Sequence, residues 1–246
     1  MQHAFFGFLL IVFFQKIAPV ISYVLIAYFV LLFLDWFVVG NQAPAHEYES
    51  FQAFRPSNNS QITSISISGQ RDSVSWARAV LANASSYLIV DTETTGLSGR
   101  DEIVEIGVVD LSGNTVFHSY VRPPKRRKMP PDAEFIHKIS LKFLKDKPTM
   151  AEIIEPLRRV LYNKTLISYN AEFDEKLFRQ TCKKYELSGL SNRWECAMLP
   201  YAAWVGEWND YHGDYKWQKL PSAGHDALSD CLATRKIIIE MAGGKA

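Results

Sequence analysis

The chain begins with two hydrophobic runs that hold almost no polar residues. Residues 4–14 form the first run and residues 17–34 the second, with only two polar residues between them. The second run has no charge before Asp35. An apolar stretch of about 18 residues or more is long enough to cross a bilayer as a helix. We therefore predict a single transmembrane helix over residues 17–39.

The first run is short for a separate span. It either continues the span as one long tilted helix or forms a re-entrant segment. A cleaved secretory signal is a third interpretation, but such signals need a basic start and a cleavage site of small residues. Residues 1–4 contain no Lys or Arg, and Asp35–Phe37 is a poor cleavage context. The pattern therefore favours an uncleaved membrane anchor over residues 1–40.

The stretch that follows, residues 41–71, has the composition of a linker. It is rich in Ser, Asn and Gln, and it contains Pro44 and Pro56. From residue 72 onward the apolar residues are spaced regularly, as the elements of a packed domain require. We therefore predict a polar linker at 41–71 and a globular domain at 72–246.

Within this domain the apolar spacing predicts an α/β fold. A helix begins at Asp72 or Ser73. Three strands are predicted next, at 87–91, 102–111 and 115–121. Helices and one further strand then alternate, at 149–162, 165–169, 171–185 and 225–241. Strands followed by alternating helices and strands indicate a mixed sheet flanked by helices.

Composition excludes several classes of protein. The 246 residues include 27 Lys and Arg against 26 Asp and Glu, so the net charge of +1 gives no overall basic field of the kind a histone-like binder carries. With 48% hydrophobic and 22% charged residues, the chain is not disordered. Its three cysteines are too few for a disulfide scaffold and are consistent with a reducing compartment.

Two carboxylates follow the first predicted strand directly. Residues two apart on a strand share a face, so Asp91 and Glu93 point the same way at its end. Neighbouring carboxylates repel each other unless a cation lies between them, and hard oxygen ligands suit Mg²⁺ or Mn²⁺. A solvated turn is the alternative, because Asp, Thr and Gly are common turn residues.

Two further polar motifs open predicted helices. Asn170 is a natural N-cap, and Asp174 lies one helical turn beyond it. His225 precedes the last long helix, and Asp230 lies inside that helix. Taken alone, each motif is better explained by helix capping, by the helix dipole or by a surface histidine than by a functional site.

The order of the three motifs along the chain resembles that of the DEDDh 3′–5′ exonucleases, the RNase T or DNA polymerase III epsilon-subunit superfamily. The motifs are D-x-E-T-x-G, N-x-x-x-D and H-x-A-x-x-D. The resemblance covers roughly residues 85–242. The segment 135–139 also resembles an IHGI-type segment of that family, with Lys138 where glycine is common. The resemblance implies an RNase H-like fold, preceded here by the transmembrane helix.

The resemblance also implies a two-metal mechanism. Two divalent ions, Mg²⁺ or Mn²⁺, would be held by four carboxylates, and one ion would lower the pKa of a bound water. His225 would act as general base, and hydrolysis of the terminal phosphodiester would release a nucleoside 5′-monophosphate. The implied metal ligands are Asp91, Glu93, Asp174 and Asp230. The implied substrate-binding residues are Thr94, Gly96, Leu97, His137, Asn170 and Phe173. A buried core role is an equal alternative for Phe173.

Two surface features have open interpretations. Between Arg122 and Lys147 there are nine Lys and Arg against three Asp and Glu, which indicates either a phosphate-binding track or a solvated loop. The aromatic loop 204–217 can stack bases, contact lipid headgroups or bind a protein partner.

These observations favour a membrane-tethered 3′–5′ exonuclease that acts on 3′ ends of single-stranded DNA or RNA. A non-catalytic nucleic-acid- or polymerase-binding module on the same fold is the alternative. The five filled active-site positions argue against it. Lys16 alone, read by the positive-inside rule, places the domain outside the cell. Nucleic acid, Mg²⁺ and reduced thiols instead favour a single-pass anchor with the catalytic domain facing the cytoplasm. The sequence does not show a polymerase partner.

Overall fold

The computed structural model describes residues 59–124 and 129–243. The predicted span at 17–39 and the run at 4–14 lie outside these ranges, so the membrane anchor stays a prediction. Among the described residues, no helix is long and apolar enough to cross a bilayer.

The described residues form six α-helices, two short 3-10 helices (Ala84–Ser86 and Phe143–Asp146) and seven strands, and we number the α-helices and strands in chain order. The helices are α1 (Asn59–Ala82), α2 (Pro131–His137), α3 (Met150–Leu161), α4 (Ala171–Lys184), α5 (Met198–Val205) and α6 (Ala227–Met241). The strands are β1 (Tyr87–Thr94), β2 (Ile103–Val109), β3 (Thr115–Tyr120), β4 (Thr165–Ser168), β5 (Arg193–Cys196), β6 (Trp208–Asn209) and β7 (Asp214–Tyr215).

Five strands form one mixed sheet in the order β3-β2-β1-β4-β5. Strand β2 is antiparallel to both of its neighbours, whereas β4 runs parallel to β1 and β5 parallel to β4. The mixed α/β sheet flanked by helices is therefore confirmed. Because β1 lies at the centre of the sheet, its end can be reached by side chains from both faces.

Alternating residues of β1 serve two apolar cores. Val90 faces a core that α3 and α4 complete, with Leu157 and Phe178 fully buried there. Ile89 points the opposite way, towards α1 and α6, where Ile238 is fully buried. The period of two along a strand thus places helices on both faces of the sheet.

The predicted linker overlaps a helix. Helix α1 begins at Asn59 and not at Asp72, so residues 59–71 of the predicted linker are helical. The stretch is polar in composition, but its Ile62 and Ile65 are three residues apart, and this spacing is typical of a helix. Further along α1, a Cβ added at Gly69 would lie 2.6 Å from the hydroxyl of Tyr215, so the glycine permits close packing.

Several short elements were not predicted. Helix α2 starts with Pro131 and covers only seven residues, and strand β5 has the mixed sequence Arg-Trp-Glu-Cys. Strands β6 and β7 form a two-stranded hairpin, in which the rings of Trp208 and Tyr215 meet edge to face at 5.2 Å. Segments this short show no recognisable periodicity, so only the tertiary fold defines them.

Candidate active site

Strand β1 brings the first two carboxylates to one face of the sheet. Asp91 pairs with Gly107 and Glu93 with Glu105 on β2. The register shifts between Glu93 and Thr94, so the regular ladder ends beside these carboxylates. This is the geometry that the strand period predicted.

Helix α6 adds the third carboxylate. Oxygen atoms of Asp91, Glu93 and Asp230 lie within 4.8 Å of one another. Oδ1 of Asp230 accepts hydrogen bonds from the backbone N–H groups of Gly224, at 2.8 Å, and His225, at 3.3 Å. Asp230 therefore joins the carboxylate cluster to the loop that carries the histidine. We call Asp91, Glu93 and Asp230 the carboxylate cluster.

The close approach of α6 to the sheet depends on a glycine in β2. A Cβ added at Gly107 would lie 2.7 Å from the backbone carbon and oxygen of Ala227. Real Cβ atoms do not approach backbone so closely, so a larger residue would displace the start of α6. Gly107 thus lets Asp230 reach Asp91.

Burial raises the pKa values of all three carboxylates, and repulsion from other cluster members adds to this for Asp91 and Glu93. Burial is the largest cause for Asp91, whose pKa lies well above its usual range, and the charges of Asp174, Asp230 and Glu93 add to it. Burial followed by the charge of Asp230 raises the pKa of Glu93 to about 8. Burial also raises the pKa of Asp230.

The cluster has the chemistry of a divalent-cation site. In the part of the chain that the structure describes, no Lys or Arg forms an ion pair with Asp91, Glu93 or Asp230. Three hard oxygen donors without a balancing cation match the preferences of Mg²⁺ and Mn²⁺. The residues therefore fit the metal that the sequence pattern predicted.

Asp174 lies beside the cluster but outside it. It is only 4% exposed, in the first turn of α4, and its Oδ1 accepts a hydrogen bond of 2.7 Å from the hydroxyl of Thr92. Burial raises the pKa of Asp174 to about 7, although the bonds from Thr92 and Ser168 oppose the rise. The structure therefore brings three of the four predicted ligands together and places the fourth close to Asp91.

His225 lies on the loop just before α6. The residue is exposed, and its backbone adopts a left-handed conformation with a φ of 57°. Asp226 is the N-cap of α6, and its side chain accepts a hydrogen bond of 2.9 Å from the N–H of Ser229. The predicted position of the histidine at the helix entrance agrees with the structure, whereas its role as general base stays a prediction.

The loop after β1 forms one wall of the site. The hydroxyl of Thr94 donates to the carbonyl of Gly96 at 2.8 Å. Gly96 has a φ of 153°, and a Cβ there would lie 2.9 Å from a carboxylate oxygen of Asp101. The side chain of Leu97 is 77% exposed. Within this predicted substrate-binding segment Leu97 is therefore exposed to solvent, whereas Thr94 is buried.

His137 connects helix α2 to the same loop. The N–H of Ile139 donates to Nδ1 of His137, so Nε2 carries the proton and donates to the carbonyl of Thr94 at 3.2 Å. Burial lowers the pKa of His137. Lys138 follows in a left-handed conformation with a φ of 59°, which is the backbone geometry that glycine adopts most easily.

The remaining predicted substrate residues lie at the start of α4. Asn170 occupies the N-cap position and is exposed, but its side chain makes no capping hydrogen bond. Phe173 is half-buried and packs against the core on the α3 and α4 side of the sheet. The core role that the sequence left open for Phe173 therefore agrees with its packing.

The sequence analysis missed Glu105. This residue is only 2% exposed and stands opposite Glu93 on β2. Its Oε1 lies 2.7 Å from Nε2 of His118. A charged residue inside the apolar run Ile103–Val109 was the one available signal.

A mixed five-stranded sheet with clustered carboxylates at the end of its central strand defines a class of metal-dependent hydrolases. Residues 88–238 match the RNase T family, which is described as an exonuclease family. An uncharacterised exonuclease, CP81, of Escherichia phage 186 is 35% identical over 176 residues, which cover 65% of this chain and 89% of that protein. The DNA polymerase III subunit epsilon of Rickettsia felis is 33% identical over 172 residues, which cover 64% of this chain and 74% of that protein.

A solved structure has the same fold. Exonuclease I of E. coli, in complex with a dA16 oligonucleotide, matches with a TM-score of 0.52 at 16% identity. The match covers 64% of this chain and 42% of that chain. The chain belongs to the RNase T exonuclease family, as its motifs predicted. It is a nuclease, and its fold implies divalent metal ions.

Proposed function

We propose that the chain is a 3′–5′ exonuclease, which hydrolyses the terminal phosphodiester bond of single-stranded nucleic acid and releases nucleoside 5′-monophosphates. The observation that carries this proposal is the carboxylate cluster, with Asp174 beside it and no Lys or Arg paired with it among the described residues. Membership of an exonuclease family supports it.

The carboxylate cluster and Asp174 would hold the divalent ions, for which we propose Mg²⁺ or Mn²⁺. When bound, such ions stabilise the charge that develops on the attacking and leaving oxygens of a phosphodiester. Burial opposes the charged form of each carboxylate, and repulsion from the other cluster members opposes it further at Asp91 and Glu93. These side chains are thus best satisfied when cations neutralise them.

We assign the proton transfer to His225. Imidazole is the side chain that most often accepts a proton as the general base of an enzyme. One ring nitrogen can then accept the proton of the attacking water, while the exposed loop lets the ring approach the scissile phosphate. Because Asp230 accepts hydrogen bonds from this loop, the base and the carboxylate cluster are tied together.

The terminal nucleotide would bind between the β1 loop and helix α2. Leu97 and Phe135 expose 77% and 75% of their surfaces, and the hydrogen bond from His137 to the carbonyl of Thr94 joins the two segments. An exposed aromatic ring such as that of Phe135 can stack against an unpaired base, and the apolar side chain of Leu97 can pack against one. The Exonuclease I structure was solved with a single-stranded oligonucleotide, which supports single strands as substrate.

Three further proposals concern the surroundings of the enzyme. A polymerase partner is supported by the epsilon-subunit relatives, whose names assign them to DNA polymerase III. We also propose that residues 17–39 anchor the protein in a membrane with the catalytic domain facing the cytoplasm. The basic segment 122–147 would attract the phosphate backbone, although its residues 125–128 lie outside the described structure.

One assay separates the proposed enzyme from a non-catalytic binding module. The full-length protein in detergent is mixed with 5′-labelled and 3′-labelled oligonucleotides, as DNA and as RNA, with Mg²⁺, Mn²⁺ or EDTA. We expect labelled mononucleotide from the 3′ label at once and a descending ladder from the 5′ label, both abolished by EDTA. Binding without metal-dependent product would support the module, and immediate mononucleotide from the 5′ label would reverse the polarity.

A further inference from the structure

A fifth carboxylate, that of Glu105, lies next to the carboxylate cluster. Glu105 stands opposite Glu93 on one side and opposite Tyr120 on the other, at the centre of three paired strands. Its side chain is buried, with 2% of the residue exposed. A buried carboxylate is costly unless each of its oxygens is hydrogen-bonded, so its contacts indicate what it does.

Both oxygens of Glu105 are engaged by protein groups. Oε1 lies 2.7 Å from Nε2 of His118. Oε2 accepts a hydrogen bond of 3.3 Å from the backbone N–H of Ala227. Glu105 therefore bonds to neighbouring elements of the fold, β3 and the start of α6.

The bond to Ala227 holds the first residue of α6. The first N–H groups of a helix have no partner within the helix, and a negative charge near them is favourable. Asp226 satisfies the N–H of Ser229, and Glu105 satisfies that of Ala227. Gly107, on the same face of β2, leaves room for Ala227 to lie against the strand.

This contact controls the parts of the site that α6 carries. His225 lies two residues before Ala227, and Asp230 lies three residues after it. We propose that Glu105 is a positioning residue, which fixes the start of α6 on β2 and so sets Asp230 and His225 against Asp91 and Glu93. This inference rests on the proposed function, because it assigns Glu105 a part in the same reaction.

The first test compares two substitutions. Glu105→Gln keeps an oxygen that accepts the Ala227 N–H, whereas Glu105→Ala removes it. We expect Glu105→Ala to lower kcat by about 100-fold, the order of loss that a displacement of about 1 Å produces, with KM for the oligonucleotide within about threefold. Glu105→Gln should remain within about fivefold of wild type in kcat. The matched control is Glu102→Gln. Glu102 is as buried as Glu105 and lies immediately before β2, but it pairs with Lys184 instead.

Hydrogen exchange measures the contact without any activity. In metal-free protein, the peptide that contains the Ala227 amide should exchange at least about tenfold faster in Glu105→Ala than in wild type. In Glu105→Gln and Glu102→Gln its exchange should stay near the wild-type rate. Calorimetric titration with Mn²⁺ should show weaker binding in Glu105→Ala alone, because Asp230 is no longer held beside Asp91 and Glu93.

A second perturbation reaches the same contact from the other side. In Gly107→Ala the added Cβ should push Ala227 away from β2, so kcat should fall as in Glu105→Ala. Because both changes displace one contact, their combined loss should be clearly smaller than the product of the two separate losses. If Glu105→Ala does not fold, Glu105→Asp replaces it, since the shorter side chain keeps its charge but no longer reaches Ala227.

The outcomes separate the two levels of the argument. Unchanged exchange at Ala227 in Glu105→Ala, unchanged Mn²⁺ binding, or equal losses in Glu105→Gln and Glu105→Ala would each overturn the positioning role. A wild-type protein that cleaves no oligonucleotide with Mg²⁺ or Mn²⁺ would overturn the proposed function instead. Exchange and Mn²⁺ binding would then still decide whether Glu105 positions the carboxylate cluster.

Discussion

Removing one charge from the carboxylate cluster should stabilise the metal-free protein while it inactivates the enzyme. The sharpest such change is Glu93→Gln, which keeps the size of the side chain and removes its ionisation. Burial and the neighbouring carboxylates raise the pKa of Glu93 from 4.5 to about 8. In the unfolded chain the same group ionises freely, so its charge favours unfolding at neutral pH.

The size of the effect follows from the two pKa values. Above the unfolded pKa of 4.5, ionisation of Glu93 stabilises the unfolded state by about 1.36 kcal/mol for each pH unit. At about pH 7 Glu93 in the folded protein remains mostly protonated, so the upper limit of this stabilisation is about 3 kcal/mol. Glu93 is partly exposed, so solvent screening reduces this to about 1–2 kcal/mol. For a chain of this size the melting temperature of Glu93→Gln should exceed that of wild type by about 2–8 °C.

The pH dependence has a definite sign. Because the folded pKa is raised, the stability that protonated Glu93 contributes is complete below its unfolded pKa and is lost as pH rises towards 8. The advantage of Glu93→Gln should therefore grow between about pH 5 and about pH 8. The assay is thermal unfolding with EDTA across this range, repeated with Mg²⁺, which should stabilise wild type more than the variant.

Glu102→Gln is the control for this experiment. Glu102 is more buried than Glu93 but forms an ion pair of 2.7 Å with Lys184, so loss of its charge should not stabilise the protein. A Glu93→Gln protein that melts below wild type at neutral pH, or a difference that does not change with pH, would refute the reasoning. Either result would mean that Glu93 is already compensated in the absence of metal.

Further predictions concern catalysis, substrate and location. Leu97→Ala should raise KM about tenfold with kcat little changed, since burying a leucine side chain against a base contributes about 1.5 kcal/mol. Equal KM values would remove Leu97 from the substrate site. Neutralising residues 125–128 together should flatten the salt dependence of oligonucleotide binding, and an unchanged slope would contradict a phosphate track. Deleting residues 1–40 should move an active nuclease from the membrane fraction to the soluble fraction. Full-length protein in the soluble fraction would contradict the predicted anchor. Substituting asparagine at Asp91, Asp174 or Asp230 should leave the fold intact and reduce nuclease activity to background. Full activity in any of these variants would exclude that residue from the metal site.

Local periodicity predicted the carboxylate pair of β1 but not its surroundings. The period of two along a strand placed Asp91 and Glu93 on one face, and the structure agrees. The approach of Asp230 depends on Gly107, which meets Ala227 across more than a hundred residues of chain. Only the order of the motifs, matched to a family, connected these segments.

Glu105 shows why a buried functional residue escapes sequence analysis. It lies in strand β2, which is buried along its whole length, so the strand has no exposed face against which a polar residue would stand out. Its partners His118 and Ala227 come from a neighbouring strand and from the last helix. No spacing along the chain relates the three residues, so only tertiary structure could bring them to notice.

The position of Asp174 shows how the two faces of the sheet are joined at the site. Asp91 and Glu93 point towards α6, whereas Thr92, between them, points to the opposite face and donates to Asp174 on α4. Helix α4 can reach this point because β4, which precedes it, runs parallel to β1 and directly beside it. The carboxylate cluster therefore belongs to one face, and Asp174 is held on the other face through its hydrogen bond from Thr92. A site assembled in this way depends on the mixed strand order, since α6 packs over the antiparallel pair β1–β2 and α4 follows the parallel neighbour β4.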